Sequence, residues 1–298
     1  MKNFLDKNLK LLLPKTLCPA VDLVLSIVNE KMCTKNISFP FGKDGSLLYS
    51  VSLLPTVTEE HIEIEFNATV KQGDVLIQPS KNATEIFDLP SNPGETSFFL
   101  KADFLGCAFT ALQQEGAFNL IATESELADA ETMSISALSD VIPEFPTDIQ
   151  DFKITISVDK PAEITLDPSK ALLHLYSNFE MTASPSPDSE PQSIFVIHLH
   201  MNFQIQFSVD EKTLHFDLSP DKIFPSLDSS SIGVFEVEDL GEFILSVLQE
   251  VYTPAINNML QTAIPLPDML RMLSINLAES QIEVMKNFLM ISVNVCRA

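Results

Sequence analysis

VEDLGEFILSVLQEVYTPAINNMLQTAIPLP, residues 237–267, decides how the chain is read. Apolar residues fall at Leu240, Phe243, Ile244, Val247, Leu248, Val251, Ile256, Met259 and Leu260. Steps of three and four place them on one helical stripe. Leu245, Tyr252 and Ala255 widen that stripe, which predicts a helix buried around much of its circumference. Pro254 sits inside it and predicts a kink, because proline offers the preceding turn no N–H. Pro265 and Pro267 then stop the helix and start an extended turn. The following residues, 269–295, read as two strands around a polar connection. A long apolar helix feeding a sheet is core, and the stretch carries no chemistry.

Working outward, residues 96–118 (TSFFLKADFLGCAFTALQQEGAF) repeat the helical pattern, with Phe99, Ala102, Phe104, Leu105, Ala108, Phe109 and Leu112 on one stripe. Thr96 or Ser97 is the expected N-cap and Gly116 the expected C-cap. Both long helices, near 97–115 and 237–263, are flanked by strand patterns. Ile62, Ile64 and Phe66 alternate with Glu63 and Glu65, and Phe152, Ile154, Ile156 and Val158 repeat the period of two. Residues 162–184 supply two more strands. The stretch 193–224 predicts a long hairpin turning near 210–212. Residues 79–96 read as a surface loop. Residues 2–32 read as a helix broken at Pro14, with no preceding sheet to cover, as expected of a fragment.

The formal charge is −23, from 18 basic and 41 acidic residues among 298, which argues against nucleic acid and anionic membranes as charge-driven partners. Membrane contact is expected to be transient at most, because no run approaches the roughly 18 apolar residues of a span. The sequons at Asn36, Asn67 and Asn82 favour a secreted glycoprotein. The N-terminus carries no export signal, so the true start is expected to be missing.

Catalytic chemistry has no support. There is no G-x-S-x-G elbow, no H-E-x-x-H and no phosphate loop, and acidic pairs such as Glu63/Glu65 read as a solvated face. His198 and His200 share one strand face, and with His215 across the hairpin a zinc site is conceivable. Alternation with Ile197, Leu199 and Met201 reads more simply as a solvated polar face. The four cysteines, Cys18, Cys33, Cys107 and Cys296, show no metal-ligand spacing, and no metal or cofactor is expected. A bridge between Cys107 and Cys296 stands beside the reading of a buried thiol and a loose tail; Cys18 and Cys33 have no assigned partners. The 21 phenylalanines concentrate on apolar faces, which suits both an ordinary core and the wall of an elongated lipid slot.

Taken in order, these segments resemble the C-terminal half of the BPI/LBP/PLUNC family, a long PLUNC-like (family B) member in particular. LCPAVDLVLSIVNEKM is similar to the end of that family's first-domain helix, and LLYSVSLLPTVTEEHIEIEFNATV to the opening strands of its second domain. FFLKADFLGCAFTALQQEGAFNLIAT resembles the first helix of that domain with the strand after it. ALSDVIPEFPTDIQDFKITISVDKPAEITLDPSKALLHLYSNFEM resembles its Pro-marked middle. AIPLPDMLRMLSINLAESQIEVMKNFLMISVNV resembles the turn and closing strands that follow the long helix.

The resemblance implies an α+β, BPI/TULIP-type domain: a curved antiparallel sheet wrapped around a long helix with a second helix. It places residues 1–32 as the terminal helix of a missing first BPI domain plus linker. Residues 33–298 become the C-terminal lipid-binding domain with central-sheet strands. It implies a secreted, extracellular, non-enzymatic protein of mucosal innate defence that holds phospholipid or fatty acid in an apolar slot. The basic tip that grips lipopolysaccharide belongs to the missing domain, which puts endotoxin binding in doubt. Expected lining residues are Phe104, Leu105, Phe109, Leu112, Phe243, Val247, Leu248, Val251 and Leu260. The alternative is a glycosylated interaction protein with a self-filled slot, acting through a protein partner or dimer.

Overall fold

The computed structural model describes residues 37–51, 56–57, 62–78, 95–127, 138–139, 142, 145–146, 149, 151–168, 170–184, 189–210, 213–261, 263–267 and 279–294. The chain divides into two compact units, residues 1–39 with 48–69 and residues 40–47 with 70–298.

The strands β1 (Ile37–Phe41), β2 (Gly45–Val51), β3 (Thr56–Val57), β4 (Ile62–Glu63), β5 (Phe66–Gln72) and β6 (Val75–Ile77) come first. Then β7 (Glu95–Lys101) runs directly into helix α1 (Ala102–Gln114), followed by β8 (Leu120–Thr123) and the single turn α2 (Glu124–Leu127). Next are β9 (Asp151–Val158), β10 (Glu163–Asp167), β11 (Lys170–Ser184), β12 (Gln192–Val209) and β13 (Thr213–Ser230). The second long helix is composite. It comprises a 3-10 turn (Val237–Leu240), α3 (Gly241–Ser246), a π-helical stretch (Val247–Tyr252) and α4 (Thr253–Met259). β14 (Ile264–Pro265), β15 (Gln281–Met285) and β16 (Phe288–Asn294) complete the order.

In the smaller unit, Tyr49 is buried with its ring edge-on to Phe39 at 5.9 Å, and β3 pairs with β4 through Val57↔Ile62.

The larger unit is built on a seven-stranded antiparallel sheet, order β14-β13-β12-β11-β9-β8, with β10 sharing an edge of β11. Its long strands obey the period of two. On β11, Leu173, Leu175, Ser177, Phe179 and Met181 are buried while their neighbours alternate outward. On β12 the same face carries Ile197, Leu199, Met201, Phe203 and Ile205. Register shifts at Met181/Thr182, Val196/Ile197 and Asn202/Phe203 bend these strands, as bulges do. The hairpin of β12 and β13 turns where the alternation placed it, its ends closed by Asp210 and Thr213.

A second sheet, β15-β16-β7, corrects the start of the first long helix. Residues 97–101 are strand, paired with β16 through Phe98↔Ile291 and Leu100↔Leu289. Helix α1 therefore begins at Ala102, and neither Thr96 nor Ser97 caps it. The N-cap is Lys101, which makes no side-chain cap bond; the Ala102 N–H instead donates to the Asn287 carbonyl at 2.9 Å. Asn287 sits in the tight turn between β15 and β16 at φ 66°, and its own N–H donates to the Leu166 carbonyl. Gly116, at φ 79°, ends α1 in the left-handed conformation expected of it.

The helix continues through Pro254, and the accommodation lies just before it. In the π-helical stretch the Thr253 N–H and hydroxyl both donate to the Leu248 carbonyl, five residues back, so the ladder changes register ahead of the proline. Leu245 and Met259, read as part of the buried stripe, are exposed.

Candidate functional site

Both long helices lie against one face of the seven-stranded sheet. From α1, the Phe109 ring sits 4.8 Å from Phe216 on β13 and 6.4 Å from Phe118 in the turn after the helix. The second helix meets the sheet at two places. Phe243 meets Phe179 of β11 edge-on at 6.5 Å, and Tyr252 lies 6.0 Å from Phe203 of β12. The segment from Phe243 to Tyr252 therefore passes from β11 at Phe179 to β12 at Phe203. Asn257 then fixes the far end: its side-chain amide donates to the Leu218 carbonyl and accepts the Leu218 N–H, both at 2.9 Å.

The second helix is tied to the turn that follows α1. The Tyr252 hydroxyl, fully buried, donates to the Phe118 carbonyl at 2.8 Å. Burial drives its phenol far above the usual tyrosine range, so it stays a donor throughout the accessible pH range.

The nine candidate lining residues fall into two groups. Leu105, Phe109, Val247 and Leu248 have 0% exposure, and Leu112 and Leu260 are also buried. Phe104, at 9%, and Phe243, at 6%, keep a little accessible surface, and Val251 is half-buried. Sequence reasoning missed the sheet side of this layer: Phe179, Phe203 and Phe216. Their signal was present in the alternation of β11, β12 and β13, but periodicity does not say which of two faces a helix covers.

At the end of α1, Glu115 holds the turn between β1 and β2. Its carboxylate accepts the N–H groups of Lys43 at 2.7 Å and Asp44 at 3.0 Å, and the Gln72 side-chain amide at 2.9 Å. Burial pushes this carboxyl up, but the three hydrogen bonds outweigh it and the net displacement is downward.

The histidines do not converge. His198 lies opposite Ser226 and His215 opposite Ser208 in the β12–β13 register, so the hairpin holds them far apart. His198 contacts Asn178 and Asp228, while His215 contacts Thr213 and Asp210 at the turn. His200 is stacked between Tyr176, 4.5 Å away, and Phe224, 5.4 Å away. Burial and the neighbouring His174 hold its imidazole below the usual range. Among the described residues, no group of three or more His, Cys, Asp and Glu is placed to hold a metal ion.

Cys107 is buried on α1, where burial and then Asp103 push its thiol up to about 11. Cys18, Cys33 and Cys296 lie outside the described residues, as do Asn36 and Asn82. Asn67 is exposed on β5. Among the described residues, no helix is long and apolar enough to cross a membrane.

Against known proteins, residues 43–296 match the family model of the LBP / BPI / CETP family, C-terminal domain. Human BPI fold-containing family B member 6 is 33% identical over 98% of this chain and 64% of that protein. Human BPI fold-containing family B member 4 is 28% identical over 93% of this chain and 46% of that protein. The crystal structure of lipopolysaccharide binding protein superposes with a TM-score of 0.49 at 18% identity, covering 97% of this chain and 63% of that one. The chain thus spans less than two thirds of the length of these relatives.

Proposed function

The chain belongs to the LBP/BPI/CETP family by its C-terminal-domain match over residues 43–296, and from that membership we propose a secreted, non-enzymatic lipid-binding protein of mucosal innate defence. Its α+β fold is of the BPI type, with two helices laid on one face of a curved antiparallel sheet. Residues 33–298 form the lipid-binding domain in this reading, and residues 1–32 belong to a preceding domain. The observation that carries the proposal is the shared layer: Phe109 from one helix, and Phe243 and Tyr252 from the other, meet the same apolar sheet face. An acyl chain of a phospholipid or fatty acid would enter between helix and sheet. Phe104, Phe243 and Val251, the less enclosed members, would stand at its entrance. Each CH₂ transferred from water would contribute about 0.8 kcal/mol, with few polar contacts and loose specificity.

Asn36, Asn67 and Asn82 would carry glycans outside, and a Cys107–Cys296 bridge would anchor the C-terminus to α1. Native mass spectrometry before and after organic extraction tests the central proposal. A mass excess removed by extraction and resolved as phospholipid or fatty acid supports it; a bare polypeptide-plus-glycan mass overturns it.

The complete enclosure of Leu105, Phe109, Val247 and Leu248 favours a second reading. Here the slot is filled by the protein's own side chains and the acidic, glycosylated surface engages a protein partner or a second copy.

A further inference from the structure

Ser177 breaks the inner face of β11. It stands between Leu175 and Phe179 on the side that faces the helices, it is 3% exposed, and its hydroxyl has no hydrogen-bond partner. Its neighbours across the sheet, Leu199 on β12 and Val158 on β9, are apolar. Leaving a buried hydroxyl without a partner forfeits its hydration for nothing, so a partner is expected when the protein is at work. Thr253, another buried hydroxyl of the same layer, is satisfied by the Leu248 carbonyl.

A second observation falls at the same place. The helix passes from Phe179 of β11, under Phe243, to Phe203 of β12, beside Tyr252, and the pair Ser177↔Leu199 lies between those two levels of the sheet. The helix between those two contacts includes the π-helical stretch Val247–Tyr252. Such i→i+5 turns are rare and recur at functional sites.

We propose that Ser177 is the polar anchor of the slot, bonding a hydroxyl or carboxyl oxygen at the buried end of a single-chain lipid that enters oxygen-first beneath Val247–Tyr252. This rests on the lipid-binding reading above and adds to it an orientation and a ligand class. The lipid oxygen would supply the partner the hydroxyl lacks, and the chain would run outward along apolar side chains toward Val251 and Phe243. A lipid entering tail-first would leave the hydroxyl unpaired and so gains nothing from it.

The test compares 1-dodecanol with dodecane, which differ by one hydroxyl, as competitors of a polarity-sensitive fluorescent fatty acid on the full chain. The proteins are the parent, Ser177→Ala and Ser177→Thr. The expected result is dodecanol affinity about three- to tenfold weaker in Ser177→Ala, dodecane affinity unchanged, and dodecanol affinity restored in Ser177→Thr. Equal dodecanol binding by the parent and Ser177→Ala overturns the anchor and leaves the slot standing. Loss of both competitors in Ser177→Ala at unchanged thermal midpoint also overturns it, since the effect would not be polar. If Ser177→Ala lowers the midpoint, the parent-to-Ser177→Thr comparison decides: preference for dodecanol over dodecane in both supports the anchor, and no preference overturns it. Failure of the parent to bind the fluorescent fatty acid or either competitor overturns the slot itself.

Discussion

The Tyr252 hydroxyl and the Phe118 carbonyl are 134 residues apart in sequence and 2.8 Å apart in space, and their hydrogen bond joins the second helix to the turn that follows α1. Because the phenol is fully enclosed, the bond is unscreened and neither atom has water as a substitute. Tyr252→Phe keeps the ring against Phe203 and removes only the donor. Equilibrium urea unfolding should show a loss of about 1–3 kcal/mol, the cost of leaving a buried acceptor unpaired. A change below a few tenths would mean that the carbonyl finds another donor.

Asn257 gives a related prediction with a different cause. Its amide imitates a neighbouring strand by pairing with both main-chain groups of Leu218. Asn257→Ala should cost about 1–3 kcal/mol, whereas Asn257→Asp, which keeps the acceptor and loses the donor, should recover part of that. Unfolding curves for the two variants would rank them, and equal losses would count against the paired geometry.

Phe109 is enclosed by Phe118 and Phe216. Phe109→Ala should cost about 3–5 kcal/mol by calorimetry or denaturant, since it deletes a buried ring and leaves a cavity. Val251→Ala, at a half-buried position near the proposed entrance, should cost much less and instead weaken lipid retention. Retention unchanged in Val251→Ala, measured by native mass spectrometry, would move the entrance elsewhere.

Acid should loosen the Glu115 clasp. The carboxyl titrates below its ordinary 4.5 in the folded protein, so the ionised form is the one that folding favours. Its contribution is complete above the unfolded value and disappears as pH falls through the lower folded value. Thermal midpoints of the parent and Glu115→Gln should therefore differ most above pH 4.5 and converge as the pH is lowered below it. A gap that stays constant down to acid would contradict the assignment.

Gly42 shares that clasp. It adopts φ 67°, and a Cβ there would collide with the Glu115 carboxylate. Gly42→Ala should destabilise the larger unit by about 1–2 kcal/mol from the left-handed backbone alone. The clash adds to this, and the added part should vanish in a Glu115→Ala background, a non-additivity measurable by a double-mutant cycle.

How much of this was legible in the sequence depended on how local the cause was. The β12–β13 hairpin was readable because its alternation extends over many residues and its turn is closed within the turn itself. The buried stripe of the second helix was readable for the same reason. The boundary at Lys101 was not: Phe98, Phe99 and Leu100 suit either a strand or a helical stripe, and only pairing with Phe288–Asn294 decides for strand. Pro254 announced a disturbance but not its form, because a π-helical register change and a kink answer the same missing N–H. The candidate slot residues were found on the helices, where periodicity marks a face. Ser177 was overlooked because one small polar residue scarcely disturbs an apolar alternation.

The capping of α1 by Asn287 also sets an order of events during synthesis. The first helix of the larger unit emerges early, yet the carbonyl that receives its first N–H, and the strand that pairs with β7, are made near the end of the described chain. A nascent chain holding only the first half of the unit carries an apolar helix with an open start and an unpaired strand leading into it. Such segments are slow to find distant partners and prone to stray association. Ribosome-bound intermediates of this protein should accordingly depend on chaperones until the β15–β16 turn has left the exit tunnel.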